Sequence, residues 1–151
     1  MNGMAIALEE ARAAVTCGEV PVGACVLSPA GELLARAGNR VEEAHDASAH
    51  AELLAMRAAA KALGSARLVG CTVFVTLEPC AMCAAAMVHF RVARVVFGAY
   101  DPKGGGVDHG PRVFDVPGCL HRPEVTGGVR EYEAGELLRR FFEARRDRPP
   151  V

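Results

Sequence analysis

The sequence predicts an α/β fold: three-layer α/β/α with a mixed central sheet of about five strands. Three observations predict it. Short apolar runs rich in β-branched residues alternate along the chain with Ala-rich segments of helical spacing. Two of those runs, Cys71–Thr76 and Val92–Phe97, are separated by a helix-length segment, which suits a parallel crossover. Two others, Pro21–Leu27 and Glu32–Ala37, are joined by Ser28-Pro29-Ala30-Gly31, a turn that suits an antiparallel hairpin. A length of 151 residues is one domain's worth, so 1-151 is expected to form a single domain.

The elements follow in order. Met4–Cys17 carries Ile6, Leu8, Ala11 and Val15 near helical spacing and stops at Gly18. The hairpin comes next. Asp46–Ser48 supplies capping chemistry for a helix from about Ala49 to Leu63, stopped by Gly64. Cys71–Thr76 is a strand, Cys80–Phe90 an Ala/Met-rich helix and Val92–Phe97 another strand. Residues 101–130 are dense in Gly and Pro and read as loop, with one short strand near Glu124–Thr126. Glu133–Arg146 is the last helix.

Composition narrows the class. Hydrophobic residues are 51% and charged residues 23%, an ordinary globular balance, and the net charge is −1. A binder that grips nucleic acid by bulk charge would be strongly basic, so any such contact must be local. No apolar run is long enough to span a membrane. The start, Met1-Asn2-Gly3-Met4, has no basic leader and soon reaches Glu9-Glu10, so a cytoplasmic protein is expected. Six cysteines without an export signal are expected to stay reduced, which leaves metal binding, catalysis or core packing.

Two segments carry chemistry: His50-Ala51-Glu52 and Pro79-Cys80-Ala81-Met82-Cys83. Each opens a predicted helix. Cys80 and Cys83, three apart, share a helix face and can grip one ion. A helix N-terminus favours thiolate through its unpaired N–H groups and dipole. Two thiolates and one neutral imidazole make three protein ligands and leave a fourth tetrahedral position open, the pattern of a catalytic zinc. Glu52 is not needed as a ligand and can move protons beside it, which suits hydrolytic deamination of a C–NH₂ centre. C-x-x-C alone is a weak signal, and H-x-E alone is weaker. Together, with Pro79 before the first cysteine, they form the H-x-E…P-C-x-x-C signature of zinc base deaminases. A redox reading of the cysteine pair leaves His50 and Glu52 without a role.

Over Met4 to Arg146 the chain resembles the bacterial tRNA-specific adenosine deaminases. The matching segments are Glu19–Ala24, Gly38-Asn39-Arg40, His45-Asp46 leading into Ala49–Glu52, Val75–Cys83, Val95–Ala99, Asp101–Gly105, and Leu137–Phe142 through Arg145-Arg146. The resemblance implies a cytidine-deaminase-like fold, a homodimer, one Zn²⁺ per chain, and conversion of adenosine to inosine at the wobble position of a tRNA anticodon loop. By that resemblance His50, Cys80 and Cys83 bind zinc and Glu52 is the proton shuttle. Asn39 contacts the target base or its sugar, with Val20 and Pro21 nearby. His45, Asp101, Lys103 and Arg145 belong to the surface that holds the RNA loop. The chain departs from the family in a short start, in the bulky Phe90 of His89-Phe90-Arg91, and in the loop Lys103–Cys119.

Bland readings stand beside these. Taken alone, Asn39 is a turn residue and His45-Asp46 a helix cap. Gly104-Gly105-Gly106 lacks the G-K-[ST] ending of a phosphate loop, so no nucleotide cofactor is expected. Cys17, Cys25, Cys71 and Cys119 read as ordinary thiols. His89, His109 and His121 read as surface or core residues, and Met4, Met56, Met82 and Met87 as core filler or dimer contacts. Fifteen of the seventeen cations are arginines, five of them within Arg139–Arg148, so that end of the chain is read as a local RNA contact. Two rival functions remain at this point: deamination of a free base or nucleoside of guanine or cytosine type, and a non-catalytic zinc-stabilised RNA-binding subunit.

Overall fold

The computed structural model describes residues 2–146. Arg148, counted in the C-terminal arginine cluster, lies outside the described residues. The chain runs α1 (Gly3–Thr16), β1 (Gly23–Leu27), β2 (Leu33–Gly38), α2 (Ala51–Leu63), β3 (Thr72–Leu77), α3 (Ala81–His89), β4 (Arg94–Ala99), a 3-10 turn at Val113–Asp115, β5 (Glu124–Thr126) and α4 (Glu131–Arg146). The five strands lie in the order β2-β1-β3-β4-β5. β1 pairs antiparallel with both β2 and β3. β3 with β4 and β4 with β5 are parallel, with Val73 opposite Val95 and Val95 opposite Val125. The mixed five-strand sheet expected from the sequence is therefore present.

The sheet separates two apolar layers. On one face Val73, Val75, Val95 and Phe97 pack with Leu53, Met56 and Met87 from α2 and α3. On the other, Val96 and Ala99 pack with Met4 and Leu8 from α1 and Ala134 from α4. β3 and β4 read TVFVTL and RVVFGA, residues that suit a pleated surface buried on both sides. Met4, Met56 and Met87 are buried, whereas Met82 is exposed on α3. Among the described residues no helix is long and apolar enough to cross a membrane.

One local expectation is corrected. The cap of α2 does not come from Asp46–Ser48. Asp46 Oδ1 instead accepts the Ser48 N–H and hydroxyl, closing a turn ahead of the helix. The N-cap position is His50, whose side chain makes no capping bond. The Ala51 N–H donates to Asn39 Oδ1 at 2.8 Å, from the chain just beyond β2. A helix N-terminus must satisfy its first donors, and here a residue twelve positions away does so. We expect N39A to lower unfolding free energy by about 1–3 kcal/mol through the orphaned donor, measurable by urea denaturation.

Candidate active site

The site forms where β3 ends and two helices begin. His50 and Cys80 occupy the N-cap positions of α2 and α3, and neither side chain caps its own helix. N-caps are usually Ser, Thr, Asp or Asn, whose oxygens bond the first turn. An imidazole and a thiol at those positions leave both side chains free for another partner. Cys83, one turn into α3, is fully buried and points to the same place. The Cys80 and Cys83 Sγ atoms lie 3.6 and 3.5 Å from His50 Nδ1. The three ligand atoms all fall within 4.8 Å of one another.

Those distances suit one zinc ion. Zinc bonds of about 2.3 Å to sulfur and about 2.0 Å to nitrogen put tetrahedral ligand atoms about 3.5 Å apart. The donor set, two sulfurs and one imidazole, is also a zinc set. The chain thus holds a zinc-binding group of His50, Cys80 and Cys83.

The electrostatics of this cluster set one thiol apart. A hydrogen bond from Cys83 brings the Cys80 thiol down to about 4, against the opposing effect of burial, and His50 adds to the fall. The hydrogen bond with Cys80 in turn holds the His50 imidazole above its usual range, against the opposing effect of burial. Cys83 is pushed up, first by its bond to Cys80 and then by burial. Cys25, buried beneath α1, is pushed up to about 12, chiefly by burial. Cys80 therefore ionises above about pH 4 and Cys25 stays protonated across the neutral range. We expect iodoacetamide at pH 6 to alkylate Cys80 in metal-free protein before the other cysteines, and zinc to protect it. Peptide mapping by mass spectrometry checks this.

Glu52 sits in the first turn of α2, 4% exposed, and lines the same cavity as His50 and Cys80. Burial raises its carboxyl to about 7, partly opposed by backbone hydrogen bonding and by His50. A carboxyl titrating near neutrality is matched to moving protons at neutral pH.

The cavity has a volume of about 390 Å³, within the range for a small organic ligand. Of the residues assigned to substrate, Val20, Asn39, Asp101 and Arg145 line it. A wider groove of about 850 Å³ adjoins it, sharing Val20, Leu77, Asp101, Phe142 and Arg145 and adding Lys103 and Tyr100. Pro21 is buried beside Val20, and His45 is exposed in the loop before α2; neither lines the cavity or the groove. Asp101 also shapes its own loop, since its Oδ1 accepts the N–H groups of Lys103 and Gly104.

The C-terminal arginine cluster is divided by the helix that carries it. Arg139 forks onto Glu136 and Glu143 at 2.7 Å each, and Arg140 also reaches Glu136. These are ordinary i,i+3 and i,i+4 pairs on an exposed helix. Arg145 is placed differently: it donates to the Gly18 carbonyl at 2.8 Å and lies 4.5 Å over the Phe141 ring, at the cavity's edge.

Sequence reasoning missed three residues here. Glu19 and Glu78 are buried carboxylates that line the cavity, and His109, read as dispensable, lies 2.8 Å from Glu78 Oε1. The available signal was an acidic residue abutting an apolar strand: Glu19 just ahead of Val20–Leu27, and Glu78 just after Cys71–Leu77.

Residues 1–99 match the family described as the cytidine and deoxycytidylate deaminase zinc-binding region. The chain is 50% identical over 143 residues to the tRNA-specific adenosine deaminase of Agrobacterium fabrum (strain C58), covering 95% of this chain and 93% of that protein. It superposes with a TM-score of 0.87 and 49% identity on a structure solved in work on A-to-I editing by tRNA:A34 deaminases at the wobble position of transfer RNA. That match covers 89% of this chain and 97% of the other. A guanine deaminase from Nitrosomonas europaea is more distant, at 28% identity and a TM-score of 0.77 over 91% of this chain and 81% of that one.

Proposed function

The chain belongs to the tRNA-specific adenosine deaminases, and we propose that it converts adenosine to inosine at the wobble position of a tRNA anticodon loop, releasing ammonia. The observation that carries the substrate reading is the groove joined to the zinc-site cavity. A free base needs only the cavity. A nucleotide flipped out of a loop also needs an open path for the strand on either side of it. The groove offers exposed Phe142 and Tyr100 for stacking and Lys103 and Arg145 for phosphates.

The chemistry divides among named groups. His50, Cys80 and Cys83 hold the metal. Bound zinc supplies Lewis acidity that makes water a competent nucleophile near neutral pH. Glu52, in a buried cavity and titrating near 7, accepts the proton given up by the attacking water and returns it to the purine ring nitrogen. Glu52 then carries the second proton, from the hydroxyl now bonded to the ring carbon, to the amine, whose C–N bond breaks to release ammonia. Asn39 holds the nucleotide from the cavity wall while its Oδ1 keeps the start of α2 in place. Val20 supplies an apolar wall, Pro21 stiffens the segment behind it, and Asp101 shapes the rim. His45 meets the RNA beyond the cavity.

The same reading carries a single domain, a cytoplasmic location and a homodimer; Met82, exposed on α3, is an apolar residue such a dimer would cover. Light scattering should return twice the chain mass. The experiment for the substrate is a comparison of kcat/KM on an anticodon stem-loop with A at the wobble position and on free guanine, cytosine and adenosine. Deamination of the stem-loop at least ~100-fold more efficiently than any free base or nucleoside is expected. Turnover of free guanine with none on the RNA would favour the free-base reading suggested by the Nitrosomonas europaea likeness.

A further inference from the structure

We propose that Glu19 and Glu78 are positioning residues: two buried carboxylates that fix the loops walling the cavity mouth, so that a nucleotide within an RNA strand is accepted. This rests on the tRNA deaminase reading and adds to it residues that are neither metal ligands nor proton carriers. Glu78 follows β3 and is 2% exposed. Its Oε1 accepts the Asp101 N–H at 3.0 Å and lies 2.8 Å from His109 Nδ1. Its Oε2 accepts the N–H groups of Val107, Asp108 and His109 at 3.2, 3.0 and 3.1 Å.

The arrangement is specific to a carboxylate. Both oxygens accept, and together they take four backbone N–H groups from one loop. An amide presents one acceptor, and its NH₂ would face donors. The loop needs such an anchor: Asp101–His109 contains no helix or strand, yet it carries Asp101, Lys103 and Gly104 to the cavity and groove. It is also fitted closely around the carboxylate. A Cβ at Gly105 would overlap Glu78 Oε2, and one at Gly106 would overlap the Ala81 backbone at the start of α3.

Glu19 repeats the device on another wall. It is 1% exposed, and its two oxygens accept the N–H groups of Glu42 and Glu43 at 3.1 and 2.8 Å. Those residues belong to the loop between β2 and α2, of which Val41 and Glu42 line the cavity. Both glutamates are thus neighbours of cavity-lining segments, and both act on main-chain donors. Neighbouring nucleotides of a strand meet the mouth loops, while the reacting base lies deeper. Loosening the loops should therefore weaken capture of RNA more than the chemical step.

The test uses zinc-loaded E78Q, E78D and E19Q with an anticodon stem-loop bearing A at the wobble position. KM and kcat are read separately, with zinc content and amide hydrogen exchange. E78Q should raise KM ~10-fold or more with kcat within ~3-fold of the unmutated protein and zinc near one per chain. Exchange should quicken at the amides of Val107, Asp108 and His109 and not in β3. E78D, which keeps the charge and both acceptors, should recover part of the KM, and E19Q should show the same split. If E78Q fails to fold, E19Q decides. Unchanged KM in the folded variants, or losses of kcat that follow zinc loss, would overturn the proposal while the unmutated protein stays active. An unmutated protein inert on the stem-loop would instead overturn the functional reading on which the proposal rests.

Discussion

Replacing Glu52 by Gln or Ala is expected to lower kcat by ~10²–10⁴-fold or more while zinc stays near one per chain, since a positioned proton carrier commonly contributes about that much. The expectation rests on separating two jobs within one segment. His50 occupies the N-cap position of α2 without capping it, which leaves its Nδ1 for the metal group. Glu52 lies two residues on, buried in the cavity and outside the three-ligand group. Its pKa sets a sign for pH dependence: the carboxylate form, which accepts the proton, gains population as pH rises through about 7. The acidic limb of kcat/KM should therefore depend on Glu52 and vanish in E52Q. Turnover within ~3-fold of the unmutated protein would refute the assigned role and revive the non-catalytic scaffold.

Loss of the metal is the second large effect. Chelation, or C80A, should take deamination to background and lower zinc content well below one per chain. Stability should fall as well. An ion that binds only the folded state stabilises it by about 4 kcal/mol at roughly 1,000 times its dissociation constant. For a domain of this size that is about 10 °C in Tm, read by calorimetry with and without chelator. Zinc added back should restore both activity and Tm in the chelated protein, but neither in C80A. Metal binding must also displace protons from His50 and Cys83, so apparent affinity should weaken as pH falls.

Much of this was legible in the sequence because it is written in local patterns. Alternating strand and helix periods gave the layers, and the parallel pairing of β3 with β4 follows from a helix lying between them. His50, Glu52, Cys80 and Cys83 are legible because helix spacing makes side chains three or four apart neighbours. What stayed hidden depends on long-range main-chain donors. The cap of α2 comes from Asn39, which local capping rules do not reach, so Asp46–Ser48 took the assignment. Glu78 binds N–H groups 23 to 31 positions away, and a backbone donor leaves no mark on residue identity. The arginine cluster is divided by pairs that reach outside it: Glu136, just ahead of Arg139–Arg148, pairs with Arg139 and Arg140, while Arg145 lies at the cavity.

The proposed activity is one reaction at one position of one kind of RNA. The most direct measurement incubates the purified zinc-loaded protein with a tRNA whose anticodon begins with A and sequences the product for A-to-G readout. Conversion confined to the wobble position, abolished by chelation and by E52A, is the predicted result. An unconverted tRNA, with ammonia released from free guanine or cytosine by the same preparation, would contradict it.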